Sequence, residues 1–167
     1  MKQMELPFIK YALVETQADM ARVLDDLING VTKMLGKTGE RGQSPEVLIR
    51  TMMSTVGNPN AFLLTAYDME DVFAGFCYAV AIPAPKPWVD FMGVYTRPGL
   101  ASRVKYEVFG FLRQWARSRG ASRIYAGITR KPEIFFKFFH EPLGFKKIGI
   151  IVECDLREAP NATTEAN

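Results

Sequence analysis

The sequence predicts an α+β (α/β layered) chain: a mixed, mostly antiparallel twisted sheet with a parallel central strand pair and about four helices. Three observations carry that reading. Runs rich in β-branched and aromatic residues, at 8–14, 61–67, 72–82, 88–95, 124–128 and 145–156, alternate with segments whose apolar residues recur every three or four positions. The acidic tetrad Asp68-Met69-Glu70-Asp71 separates two of the runs by a hairpin's length, which pairs them antiparallel. A helical pattern lies between 88–95 and 124–128, and strands joined through a helix run parallel in a right-handed crossover.

The elements follow in order along the chain. Phe8 to Val14 is a first strand. Thr16, with Asp19 three residues on, resembles a capping box in which Asp replaces the usual Glu, and opens a helix. Its apolar residues Met20, Val23, Leu24, Leu27, Ile28, Val31 and Leu35 form one face that needs cover. Gly36, Gly39 and Gly42 are expected to break the chain into a loop. Ser44-Pro45-Glu46 is an N-cap with proline in the first turn, opening a second helix through Leu48, Ile49, Met52 and Met53 that stops near Gly57-Asn58-Pro59. After the hairpin, Pro83, Pro85 and Pro87 forbid regular ladder pairing and lead into Trp88 to Tyr95. Val104, Val108, Phe111, Leu112 and Trp115 stripe a third helix that ends at Gly120. Pro132 opens a fourth helix, Pro142 ends it, and Phe145 to Leu156 is the last strand. Residues 1–156 read as one domain, and 157–167 as a frayed tail.

Composition narrows the function classes. With 48% hydrophobic and 23% charged residues in 167, the chain can bury a core of its own. The apolar stretch Ala74 to Ile82, with Gly75 allowed, is well below the roughly 20 residues a membrane span needs. The N-terminus carries Lys2 without an apolar stretch and cleavage site behind it, so a cytoplasmic location is expected. Cys77 and Cys154 sit far apart in strand-like segments and are expected to be reduced thiols in the interior; no metal site is expected. Charge is uneven. Residues 1–96 carry 8 Lys/Arg against 11 Asp/Glu, whereas residues 97–140 carry 10 against 2. An anionic partner suits that basic segment. It contains no nucleic-acid-binding module, so nucleic acid is not the expected partner.

Arg97-Pro98-Gly99-Leu100-Ala101 joins the 88–95 run to the third helix. A glycine turn feeding straight into a helix presents unpaired backbone N–H groups at the positive end of the helix dipole, a ready site for phosphate. Arg97 and Arg103 lie at its ends.

With this turn in place, the order β-α-α-β-β-β-α-β-α-β resembles the GNAT superfamily of N-acetyltransferases over nearly the whole chain. Three local matches support the resemblance. Arg97-Pro98-Gly99-Leu100-Ala101 resembles the family's Arg-x-x-Gly-x-Gly/Ala pyrophosphate loop; Trp115-Ala116 to Gly120 resembles its helix end; and Phe139-His140-Glu141-Pro142-Leu143-Gly144-Phe145 resembles its Phe-Tyr-Glu-x-Leu-Gly-Phe. The resemblance implies that acetyl-CoA, as co-substrate, lies between Trp88–Tyr95 and Ile124–Ile128 like an added strand, along Val94 and Tyr95. It implies that the amides of Gly99, Leu100, Ala101 and Ser102 hold the pyrophosphate, with Arg97 and Arg103 beside them, and that the Val94 N–H polarises the thioester carbonyl while a primary amine attacks directly. His140 stands where the family's catalytic Tyr does and would protonate the departing thiolate; Asp90 would relay the amine proton.

Departures are specific. The loop is about one residue short, Pro98 stands at the usual Arg or Gln, and Phe136 and Glu133 replace a small residue and an Asn. They motivate the alternative class, a catalytically inactive GNAT-like binding or assembly protein, such as one from a phage or mobile element. The expected partners are a small-molecule or peptide amine acceptor and, in self-association, a second copy in a homodimer.

Overall fold

The computed structural model describes residues 3–6, 8–38 and 44–127. Nine elements run through them: β1 (Gln3–Leu6), β2 (Ile9–Leu13), α1 (Gln17–Thr38), α2 (Pro45–Thr55), β3 (Ala61–Asp68), β4 (Phe73–Ile82), β5 (Trp88–Thr96), α3 (Ala101–Ser118) and β6 (Arg123–Ala126). The six strands form one sheet in chain order. Every neighbouring pair is antiparallel except β5 and β6, which run parallel across α3 as the helical crossover requires. The predicted fourth helix, closing strand, tail and His140 lie outside the described residues.

Both faces of the sheet are covered, so its strands read as nearly continuous apolar runs. Ile9 and Tyr11 of β2, Phe62, Leu64 and Ala66 of β3, and Cys77, Ala79 and Ala81 of β4 turn to one face, where Val104, Val108, Phe109 and Leu112 of α3 meet them. The opposite face presents Leu63, Phe76, Tyr78 and Tyr95 to Val23, Leu27 and Val31 of α1 and to Leu48, Ile49 and Met52 of α2. The two-residue period of a strand sorts these side chains, and the helix stripes supply their partners. Gly30 lets α1 lie on this layer, for a Cβ there would stand 2.9 Å from the Phe73 ring.

Local signals place the ends. Thr16 caps α1: its N–H and hydroxyl donate to Asp19 Oδ2 (3.2 and 2.9 Å), and the Asp19 N–H donates back to Thr16 Oγ1 (3.1 Å). The Ser44 hydroxyl accepts from the Val47 N–H, with Pro45 in the first turn of α2. Gly120, at φ +72°, terminates α3.

Three expectations change. A four-residue edge strand, β1, precedes the first predicted one and pairs with β2 through Gln3↔Ala12 to Leu6↔Ile9. Gly36 does not break the chain: α1 runs on to Thr38, anchored by buried Met34 and Leu35 in its last turns, and a Cβ at Gly36 would meet nothing. The acidic tetrad is not wholly a turn between the two strands. Asp68 closes β3 and has a half-buried, fully engaged carboxylate.

Candidate active site at the end of β5

β5 pairs with β4 along its whole length and with β6 only over its first half among the described residues. Trp88↔Arg123, Val89↔Ile124, Asp90↔Tyr125 and Phe91↔Ala126 pair it with β6, and among the described residues that pairing ends there. The β4 register shifts at the same place: Ala79 faces Phe91 and Tyr78 faces Gly93, so Met92 is an extra residue, a β-bulge. Past it β5 continues through Thr96 with β4 as its one strand neighbour among the described residues.

Hydrogen-bond parity fixes where the second half of β5 aims its backbone. The Arg97 N–H donates to the Ala74 carbonyl oxygen at 2.8 Å, so position 97 is bonded to β4. In an antiparallel ladder bonded and non-bonded positions alternate, so Tyr95 and Gly93 also turn their N–H and C=O to β4, while Thr96 and Val94 turn theirs away. The polar backbone groups of Val94 and Thr96 thus turn to the side away from β4, where no strand pairs with them among the described residues.

The chain then turns sharply into α3. The Leu100 N–H donates to the Arg97 carbonyl oxygen (3.2 Å), Pro98 is the second residue of that turn, and Gly99 the third at φ +88°. This is a type II turn, whose third position needs the left-handed backbone that glycine adopts freely. Because the Leu100 amide is used within the turn, the open amides are those of Ala101, Ser102 and Arg103. They precede the first helical bond, Val104 N–H to the Leu100 carbonyl oxygen (3.0 Å), and Leu100 makes no side-chain cap. A Cβ built on Gly99 would meet nothing within 4 Å, so the turn is open to solvent.

The remaining candidates are dispersed. The Tyr95 ring is buried on the α1 side, stacked with Phe73 (6.3 Å between centroids) and Phe76 (6.4 Å), so it braces the strand. Asp90 lies in the zipped part of β5, where its Oδ1 accepts from Trp88 Nε1 at 3.1 Å. The Arg97 guanidinium donates to Asp68 Oδ2. That pair holds the Asp68 carboxyl below the usual carboxylate range, with the Val72 N–H the next contributor. Asp68 and Thr96 carry no motif. Thr96 emerges only once the bulge has reset the strand's alternation, and Asp68 only once β3 and the turn after β5 are neighbours.

Two grooves flank the sheet. One of about 230 Å³, bordered by Glu15, Asn58, Trp115 and Arg119, lies at the far end of α3 from the Gly99 turn. The other, of about 240 Å³, lies on the α1 side between Lys10, Arg22, Asp26, Tyr67 and Asp71, at the end of the sheet where β5 finishes.

Solved structures share this fold. The aminoglycoside antibiotic 6'-N-acetyltransferase from Acinetobacter baumannii superimposes with a TM-score of 0.69 at 13% identity, over 88% of this chain and 97% of that one. The fold is that of the GNAT acetyltransferases. A predicted acetyltransferase from Clostridium acetobutylicum, solved with acetyl-CoA, matches at 0.64 and 17% identity over 90% of this chain and 97% of that one. Glucosamine-6-phosphate N-acetyltransferase from Arabidopsis thaliana matches at 0.60 and 14% identity over 89% and 98%. The sequence matches no protein-family model and no curated protein.

Proposed function

We propose that the chain is an N-acetyltransferase that takes acetyl-CoA along the second half of β5 and transfers its acetyl group to a primary amine by direct attack. The observation that carries this reading is the end of the β5–β6 pairing at Phe91 among the described residues. A strand edge that turns the N–H and C=O groups of Val94 and Thr96 away from β4 can receive an amide-bearing pantetheine arm as a further strand. Its far end meets the open amides of Ala101, Ser102 and Arg103 at the positive end of α3, matched to a pyrophosphate.

In this reading the Val94 N–H donates to the thioester carbonyl oxygen, and holds the negative charge that gathers there as the amine nitrogen bonds to the carbonyl carbon. The carbon–sulfur bond then breaks. The amine proton leaves to water, and the thiolate takes one from His140. Neither role needs a covalent enzyme intermediate. The acceptor is a primary amine on a small molecule or a peptide, and the groove between α1 and β3 offers it Asp26 and Asp71.

Calorimetric titration with acetyl-CoA tests the reading directly: saturable heat at sub-millimolar ligand is expected, and none at millimolar ligand would defeat it. A second reading, a GNAT-like binding protein without catalysis, draws on the engagement of Arg97 by Asp68, which takes from the turn its flanking cation. A stable protein partner held by a chain that ignores acetyl-CoA would favour it.

A further inference from the structure

We infer that Asp68 is a positioning residue for the anion-binding turn, acting through Arg97; the inference rests on the acetyl-CoA reading above. The carboxylate is fully committed. Its Oδ1 accepts from the N–H groups of Glu70 (3.1 Å) and Val72 (2.9 Å), which fixes it inside the β3–β4 hairpin. Its Oδ2 accepts from the Arg97 guanidinium, and the Asp68 side chain is only 15% exposed in that pair. Arg97 is the first residue of the type II turn: its carbonyl oxygen accepts the Leu100 N–H that closes the turn, and its own N–H is held by Ala74.

The hairpin tip and the turn are thereby tied at two points, one through backbone and one through charge. The backbone tie leaves the turn free to pivot about Arg97, and the ion pair removes that freedom. The hairpin, held by the Asp68 N–H to the Val72 carbonyl oxygen (3.0 Å) and by Asp71 in the left-handed region at φ 58°, is the rigid body. Preorganised donors bind an anion better than donors that must first be ordered. The pair also neutralises Arg97, so the guanidinium serves the turn's shape instead of adding its charge to the ligand.

The roles assigned to the two residues predict a pattern that other roles do not. Asp68→Asn keeps an acceptor for the hairpin amides but releases Arg97; Arg97→Gln breaks the same link from the other side. Each should weaken acetyl-CoA binding roughly tenfold, the double variant should be no weaker than either single one, and Arg97→Lys should recover most of the affinity. Titration calorimetry on the full chain reads all five proteins, with thermal melts run alongside. Were Arg97 instead a direct phosphate ligand that Asp68 competes for, Asp68→Asn would tighten binding, which overturns the inference. Lowered melting temperatures with unchanged affinity would also overturn it, leaving a merely structural bridge. An unaltered chain that fails to bind acetyl-CoA sinks the cofactor reading and this inference together, whereas binding equal in the unaltered chain and Asp68→Asn sinks this inference alone.

Discussion

Gly99 carries two demands that substitutions can separate. Its φ of +88° is one that a side chain resists at a cost of about 1–2 kcal/mol, less for Asn, yet the space around its Cβ is open. Gly99→Asn should fold with a melting temperature within a few degrees of the parent and keep acetyl-CoA binding. Gly99→Glu should also fold, a few degrees lower, since each kcal/mol moves the midpoint by roughly 2–4 °C in a chain of this size. Its carboxylate, however, would stand where the turn receives an anion, and calorimetry should show binding reduced beyond detection. Equal affinity in the two variants would place the phosphates elsewhere. Gly99 was legible in the sequence because Arg-Pro-Gly before an amphipathic stripe has one economical backbone solution. Thr96 and Asp68 were not. A two-residue period projected along β5 loses its phase at Met92, and no local pattern announces a carboxylate that meets an arginine 29 positions away.

Among the elements, β4 and β5 make the tightest approach near the site. A Cβ on Gly75 would lie 2.2 Å from the Tyr95 carbonyl oxygen and 3.2 Å from the Thr96 Cα, both of them backbone that cannot swing aside. Gly75→Ala should therefore push the end of β5 away from β4 at a cost of about 1–3 kcal/mol. The melting temperature should drop by several degrees. Because the displaced residues flank the backbone groups of Thr96 and Val94, acetyl-CoA affinity should fall as well. Gly36→Ala is the matched control: its Cβ meets nothing and the residue is helical, so the same measurements should show a gain of up to about 1 kcal/mol and unaltered binding. Long elements with strong periodicity, α1, α3 and the paired runs of β3 and β4, were readable from sequence. β1 was not, since four residues are too few for a period to declare itself, and its pairing with β2 is a tertiary choice. The end of α1 was misjudged because the packing of Met34 and Leu35 outweighs the poor helix propensity of Gly36.

For the molecule as a whole, two cores share one sheet, and carboxylates stitch the helices and loops to its rims. Asp19 closes the start of α1 and Asp68 ties the hairpin to the turn after β5; both carboxyls are held below the ordinary range, Asp19 chiefly by the Thr16 hydroxyl and Asp68 chiefly by Arg97. A lowered folded pKa means the charged form is favoured by the fold. The stability each contributes is complete above the unfolded value of about 3.9 and is lost as pH falls through the lower folded value. Tyr67 has the opposite sign. Burial first, then the charge of Asp26 and the hydrogen bond its hydroxyl donates there (3.0 Å), push the phenol up. Its contribution is complete below the unfolded value of about 10 and is lost as pH rises through the folded one. Urea midpoints should accordingly form a plateau across neutral pH, fall below about pH 4 and fall again above about pH 10. Asp68→Asn should shallow the acid limb and leave the alkaline limb alone, and Tyr67→Phe should do the reverse. Tyrosinate absorbance offers an independent check. Of the six tyrosines, Tyr67 should stay protonated at pH 11 until the chain unfolds, so the folded protein should titrate at most five. Six titrating in a chain still folded by circular dichroism would mean that the α1 face is open to water, and with it the layer that braces Tyr95 behind the candidate site.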